Sequence, residues 1–116
     1  MMKTRVLFHS SAVGMAIAAA GLFAGPANAI DAAAAETLAR QNGCLKCHSV
    51  DKAKEGPAYK EVAAKYKGKP GAEERLIQHI TSGEKAKFPD GHEEEHKIIK
   101  ASAGDTKNLV QWILSQ

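Results

Sequence analysis

The sequence predicts an all-α protein, and three observations carry the prediction. Apolar residues recur at three- and four-residue spacings in several short segments. Those segments are bracketed by residues that start or stop helices. No stretch alternates apolar and polar residues as a half-buried strand does. There is no internal repeat, and 116 residues have room for one domain.

The elements follow in chain order. Asp31 is a capping residue ahead of Ala32 to Arg40, and Gly43 is of the type that ends a helix. From Ser49 to Pro57 the composition turns polar and Lys-rich, which predicts a loop. Ala58 to Lys67 puts Tyr59, Val62, Ala63 and Tyr66 on one stripe, closed by Gly68. Ala72 to Ser82 does the same with Leu76, Ile77 and Ile80, and Gly83 follows. Between Gly83 and about Ala101 the period is lost to Pro89, Gly91 and three consecutive glutamates, which predicts a long irregular loop, functional or disordered. Ser102 or Asp105 then caps a last helix carrying Leu109, Val110, Trp112, Ile113 and Leu114. Leu38, Leu109, Trp112 and Ile113 are the expected core.

Residues 1–29 have a different character. Lys3 and Arg5 precede an apolar run from Ala12 to Ala24, and Ala27-Asn28-Ala29 ends the segment. That order is a secretory signal peptide with cleavage after Ala29. A membrane anchor fits less well, because a span needs about 20 apolar residues. The expectation is an exported, periplasmic domain over residues 30–116, with no membrane span after cleavage. Its 87 residues make a small core that calls for a staple, metal or cofactor. Without Lys3 and Arg5 the formal charge falls from +3 to +1, 14 basic against 13 acidic side chains. With so little net charge and few aromatics, nucleic-acid binding is not expected.

Two cysteines in an exported chain ordinarily suggest a disulfide. Here they stand as Cys44-Leu45-Lys46-Cys47-His48, and C-x-x-C-H is the haem attachment signature. The spacing puts two thiols on one turn, at the separation of the two vinyl groups across which they add, and the histidine then meets the iron from the same side. A thioredoxin-like redox pair would need a βαβ context. A zinc site would need four ligands.

With this motif in place, residues 36–116 resemble the small class I bacterial cytochromes c of the c-551/c-552 type. The likeness rests on Gly43 to His48, on Lys54-Glu55-Gly56-Pro57-Ala58-Tyr59, on Val62 to Gly68 and on Leu109 to Ser115. It implies about four short helices wrapped around one covalently bound haem c, with Cys44 and Cys47 as attachment points and His48 on the iron. It also implies that the Pro57 carbonyl accepts a hydrogen bond from His48, and that Leu38, Tyr66 and Trp112 pack near the haem. The function implied is one-electron transfer between periplasmic redox proteins, such as a dehydrogenase, reductase or oxidase, and not enzymatic catalysis.

The sixth iron ligand is where the sequence departs from that family. Its methionines, Met1, Met2 and Met15, all lie in the expected leader. Counting sixteen residues back from Trp112 puts His96 at the family's methionine position; His92 is the alternative, and an open sixth position is a third. His79, on a helix whose apolar face is already supplied, reads as solvated. The run from His92 to His96 also reads as a solvated charged face or an adventitious zinc or nickel site. Imidazole in place of methionine predicts a lower reduction potential. The flanking glutamates favour protonated imidazole whereas ligation needs it neutral, so coordination should weaken in acid. An open position would instead suit a sensor or carrier of NO, CO or O2. A subunit dedicated to one dehydrogenase is a further option, and no distal acid-base pair points to a peroxidase. The excess of Lys52, Lys54, Lys60, Lys65, Lys67 and Lys69 over Glu55 and Glu61 suits either an acidic partner or plain solvation.

Overall fold

The computed structural model describes Gly14 and residues 29–116, so the expected leader lies outside the described residues apart from Gly14 and Ala29. Helix α1, Ala32–Gln41, begins where the Asp31 carboxylate accepts the Ala34 N–H at 2.9 Å, and it ends at Asn42 and Gly43. Gly43 takes φ 69°, a left-handed conformation that suits glycine, and so turns the chain into a 3-10 turn, Cys44–Lys46. Helices α2, Tyr59–Tyr66, and α3, Ala72–Thr81, follow the two amphipathic stripes. Helix α4, Ala103–Leu114, starts at Ser102, whose hydroxyl accepts the Asp105 N–H at 3.1 Å. Of the two candidate caps, Ser102 is the one used.

Helices α1, α2 and α3 all pack on α4, which is why the last helix carries the longest apolar run. Leu109, Val110, Trp112 and Ile113 are buried there against Tyr59, Leu76, Ile80 and Ile99. On α1 the contact is made by Ala35 and Ala39, both fully buried, while the expected core residue Leu38 is only partly buried beside them. Side chains this small let the two helix backbones approach closely, so burial on α1 follows the alanines rather than the leucine.

The region expected to be irregular holds a β-hairpin. Strand β1, Lys85–Lys87, pairs antiparallel with β2, Glu93–Glu95, setting Lys85 opposite Glu95 and Lys87 opposite Glu93. Pro89-Asp90-Gly91 makes the turn: the Gly91 N–H reaches the Phe88 carbonyl at 2.9 Å, the Phe88 N–H reaches that of His92 at 2.8 Å, and Gly91 takes φ 91°. No apolar alternation announces these strands because the ribbon is largely exposed on both faces. Backbone pairing and opposite charges across the ladder replace a buried face.

The chain leaving the hairpin is strapped back onto the bundle. The His96 N–H donates to the Glu84 carbonyl at 2.9 Å, Ile99 to Ile80 at 3.0 Å, and Lys100 to the buried Asn42 side chain at 2.8 Å. These bonds fix residues 96–100 across the ends of α3 and α1.

Candidate functional site: a cavity at the C-x-x-C-H turn

One large cavity, about 750 Å³, lies where the 3-10 turn, α2, α3 and the hairpin meet. That volume falls within the range of cofactor-sized sites. Its wall includes Cys44, Cys47 and His48 from the turn, Gly56 and Pro57 from the following loop, Tyr59, Val62 and Tyr66 from α2, Leu76, His79 and Ile80 from α3, and Phe88 and His96 from the hairpin side.

The turn places its three reactive groups by local bonding. The N–H groups of Cys47 and His48 both reach the Cys44 carbonyl, at 3.2 and 2.9 Å, which winds the five-residue motif onto itself. Both thiols are free and partly buried, and burial raises the pKa of each above the ordinary thiol value. At Cys47 the Glu55 carboxylate, 3.6 Å from the sulfur, adds to the rise. His48 donates through Nδ1 to the Pro57 carbonyl at 2.8 Å, so its lone pair is left on Nε2. The ring stacks on Tyr59 with centroids 5.3 Å apart, and Tyr59 meets Trp112 edge-on at 5.6 Å. Gly56 is required for this arrangement: a Cβ there would overlap the His48 imidazole.

His96 also lines the cavity. Its Nδ1 bonds the Lys97 carbonyl at 2.9 Å, which again leaves Nε2 with the lone pair. The ring centroids of His48 and His96 are 6.2 Å apart. An imidazole nitrogen lies about 1.15 Å from its ring centre and binds a transition metal at about 2.0 Å, so two imidazoles on opposite sides of one metal have centroids about 6.3 Å apart. The 6.2 Å centroid spacing is of the length at which both rings could reach one metal ion.

His92 stands apart. It does not line the cavity, stacks on Phe88 at 4.5 Å, and has its nitrogens occupied by the carboxylates of Asp90 and Glu94. Its pKa is raised, chiefly by the bond to Asp90. Burial instead lowers both His48 and His96 below the ordinary imidazole value, with the Pro57 and Lys97 carbonyls opposing weakly. The expected influence of the flanking glutamates is therefore felt at His92, while desolvation governs His96.

His79 is not the solvated side chain the helix pattern suggested. It lines the cavity, lies 4.3 Å from the His96 ring, and bonds the Glu84 carboxylate at 2.6 Å through Nδ1. Pro57 and Tyr66 line the cavity, whereas Leu38 and Trp112 do not; they pack in and against the core behind it. Gly56, Asn42 and Glu84 escaped the sequence reading. Gly56 had a signal, a glycine beside a proline close to the motif; Asn42 and Glu84 had none, since Asn42 serves Lys100 from 58 residues away and Glu84 stands past the end of the helix whose Arg75 and His79 it bonds.

A helical bundle closed on one cavity, with a C-x-x-C-H turn opening into it, has the form of a small class I c-type cytochrome. The family model for cytochrome c matches residues 32–116, and the chain belongs to that family. Among curated relatives it is 41% identical over 83 residues to cytochrome c-551 of Allochromatium vinosum, covering 66% of this chain and 80% of the relative. It is 39% identical over 80 residues to cytochrome c-552 of Hydrogenobacter thermophilus, covering 69% and 79%. Among solved structures, the class 1 cytochrome MtoD of Sideroxydans lithotrophicus ES-1 superposes with a TM-score of 0.74 at 67% identity, over 75% of this chain and 97% of that one. Cytochrome c552 of Nitrosomonas europaea gives 0.57 at 34% identity, over 69% and 96%.

The protein is accordingly a carrier of electrons and not an enzyme, and its cofactor is covalently bound haem c with its iron. The cavity suits that group: it offers two free thiols on one turn and the imidazoles of His48 and His96, each with Nδ1 bonded to a backbone carbonyl and Nε2 available. Among the described residues, no helix is long and apolar enough to cross a membrane.

Proposed function

We propose that this chain is a periplasmic monohaem cytochrome that passes single electrons between redox proteins, with its iron held by His48 and His96. The observation that carries the reading is the 6.2 Å spacing of two imidazoles, each with Nδ1 committed to a backbone carbonyl. Haem c supplies a one-electron iron couple when bound. In this proposal Cys44 and Cys47 provide the thioether sulfurs. Pro57 fixes the tautomer and angle of His48, and the Lys97 carbonyl does so for His96. Burial lowers the pKa of both rings, which favours the neutral form that binds metal. With His48 and His96 both holding the iron, the bound group would have no place left for a substrate, and the chemistry it would supply is outer-sphere electron transfer.

The lysines around α2 and its flanking loops favour acidic partners, met through a small, short-lived contact. Export through residues 1–29 rests on their basic, apolar and small-residue order, and maturation would leave Ile30 as the first residue.

The test is His96→Ala, expressed with cytochrome maturation. Wild-type protein should be low-spin with the paramagnetic-resonance signature of two imidazoles and a potential below that of methionine-ligated relatives. The variant should bind carbon monoxide in the ferrous state. An unchanged low-spin spectrum in His96→Ala would remove His96 from the iron.

A further inference from the structure

We propose that Glu84 is a positioning residue that clamps the sixth iron ligand, holding the main chain of His96 with its carbonyl and the neighbouring His79 ring with its carboxylate. The inference rests on the reading of His96 as that ligand and concerns what keeps it in place.

Glu84 occupies the point where the hairpin leaves the bundle. Helix α3 ends at Thr81, Gly83 turns the chain with φ 72°, and β1 begins at Lys85. From there the carboxylate folds back over α3. One oxygen, Oε1, accepts from Arg75 at 2.7 Å and bonds His79 Nδ1 at 2.6 Å. The backbone carbonyl of the same residue accepts the His96 N–H at 2.9 Å. His79, so held, packs its ring 4.3 Å from that of His96. Glu84 thus ties the base of the hairpin to two side chains of α3 and touches His96 along two routes, one through main chain and one through His79.

Isolated ion pairs at a surface contribute little. This one differs in being a network: the side chains of Glu84 and His79 are only 27% and 29% exposed, and a single carboxylate oxygen serves two donors. The other glutamates of the loop offer an internal control. Glu93 lies on β2 with an exposed side chain and joins no such network among the described residues.

The measurement is the rate at which carbon monoxide replaces the sixth ligand in ferrous holoprotein, followed by stopped flow, because replacement requires His96 to leave first. Glu84→Gln keeps the shape and removes the charge, and should raise that rate about tenfold, whereas Glu93→Gln should not change it. Arg75→Gln should act in the same direction but less, and Arg75→Gln with Glu84→Gln should be no faster than Glu84→Gln alone, as expected of one unit. Thermal midpoints in the same variants separate a clamp from general loosening: the rate should move while the midpoint stays within a few degrees. If Glu84→Gln assembles poorly, Arg75→Gln carries the test. A wild-type rate in Glu84→Gln, or an equal rise in Glu93→Gln, overturns the clamp. A wild-type holoprotein that is high-spin at rest and binds carbon monoxide without delay overturns the ligation reading itself, a result distinct from an inert Glu84.

Discussion

The two sides of the cavity hold their histidines by different means. His48 is restrained by groups close in sequence: the Cys44 carbonyl, the Pro57 carbonyl and the face of Tyr59. His96 is restrained by the Glu84 carbonyl, by His79, and by the strap that bonds Ile99 to Ile80 and Lys100 to Asn42. Short loops cost little entropy to close, so the first side is organised almost as soon as the motif turns, and the second only when α1, α3 and the hairpin are in place. The side built from long-range contacts should open first when the protein loosens.

The largest effect expected on the sequence-local side comes from Gly56→Val. Side-chain atoms there would collide with the His48 ring, and overpacking of this kind costs about 3 kcal/mol. Denaturant unfolding of the holoprotein should show that loss, together with a shift in reduction potential as the Pro57 bond to His48 is disturbed. Wild-type stability and potential would mean that His48 is not held by close packing at all.

Asn42→Ala probes the long-range side. The Asn42 amide donates to the Leu38 carbonyl at 3.1 Å and accepts the Lys100 N–H at 2.8 Å; its removal leaves the Lys100 N–H without that partner, while the Leu38 carbonyl keeps the Asn42 backbone N–H at 3.1 Å. The expected cost is about 1–2 kcal/mol. Hydrogen exchange should place the change in residues 96–100, with the Cys44–His48 turn unaffected. Uniform acceleration across both sides would break the distinction between them.

The same distinction explains what the sequence disclosed. The four helices were legible because each carries its own apolar stripe and cap, as Asp31 and Ser102 do. Cys44, Cys47 and His48 stood out because the motif is compressed into five residues, whereas Pro57 was singled out only through the likeness to the cytochrome family. The hairpin was not, since Lys-Ala-Lys and Glu-Glu-Glu have no buried face, although Phe88-Pro89-Asp90-Gly91-His92 spelled out its turn. His79 looked solvated because helix periodicity describes one helix at a time; the group that turns it into part of the cavity wall, Glu84, lies beyond the helix end. Leu38 was overrated for the opposite reason, as hydrophobicity alone does not reveal that alanine is what a close helix crossing needs.

The smallest effect separates the tip of the hairpin from its base. At the tip, His92 is paired with Asp90, which raises the imidazole pKa above its ordinary value and lowers that of the carboxyl. A histidine whose folded pKa is raised stabilises the folded state below its unfolded value of about 6.5 and loses that contribution as pH climbs through the folded value. At the base, His96 is shifted the other way by burial, so acid opposes its neutral form. The tip should therefore tighten in acid under conditions that strain the base. Nuclear magnetic resonance titration of the His92 ring should give a midpoint above about 6.5 that falls towards that value in Asp90→Asn. The stabilisation involved is slight, because the pair is exposed and screened by salt. A His92 midpoint unaffected by Asp90→Asn would show that the tip carries no such pair, leaving the acid response of the hairpin to its base alone.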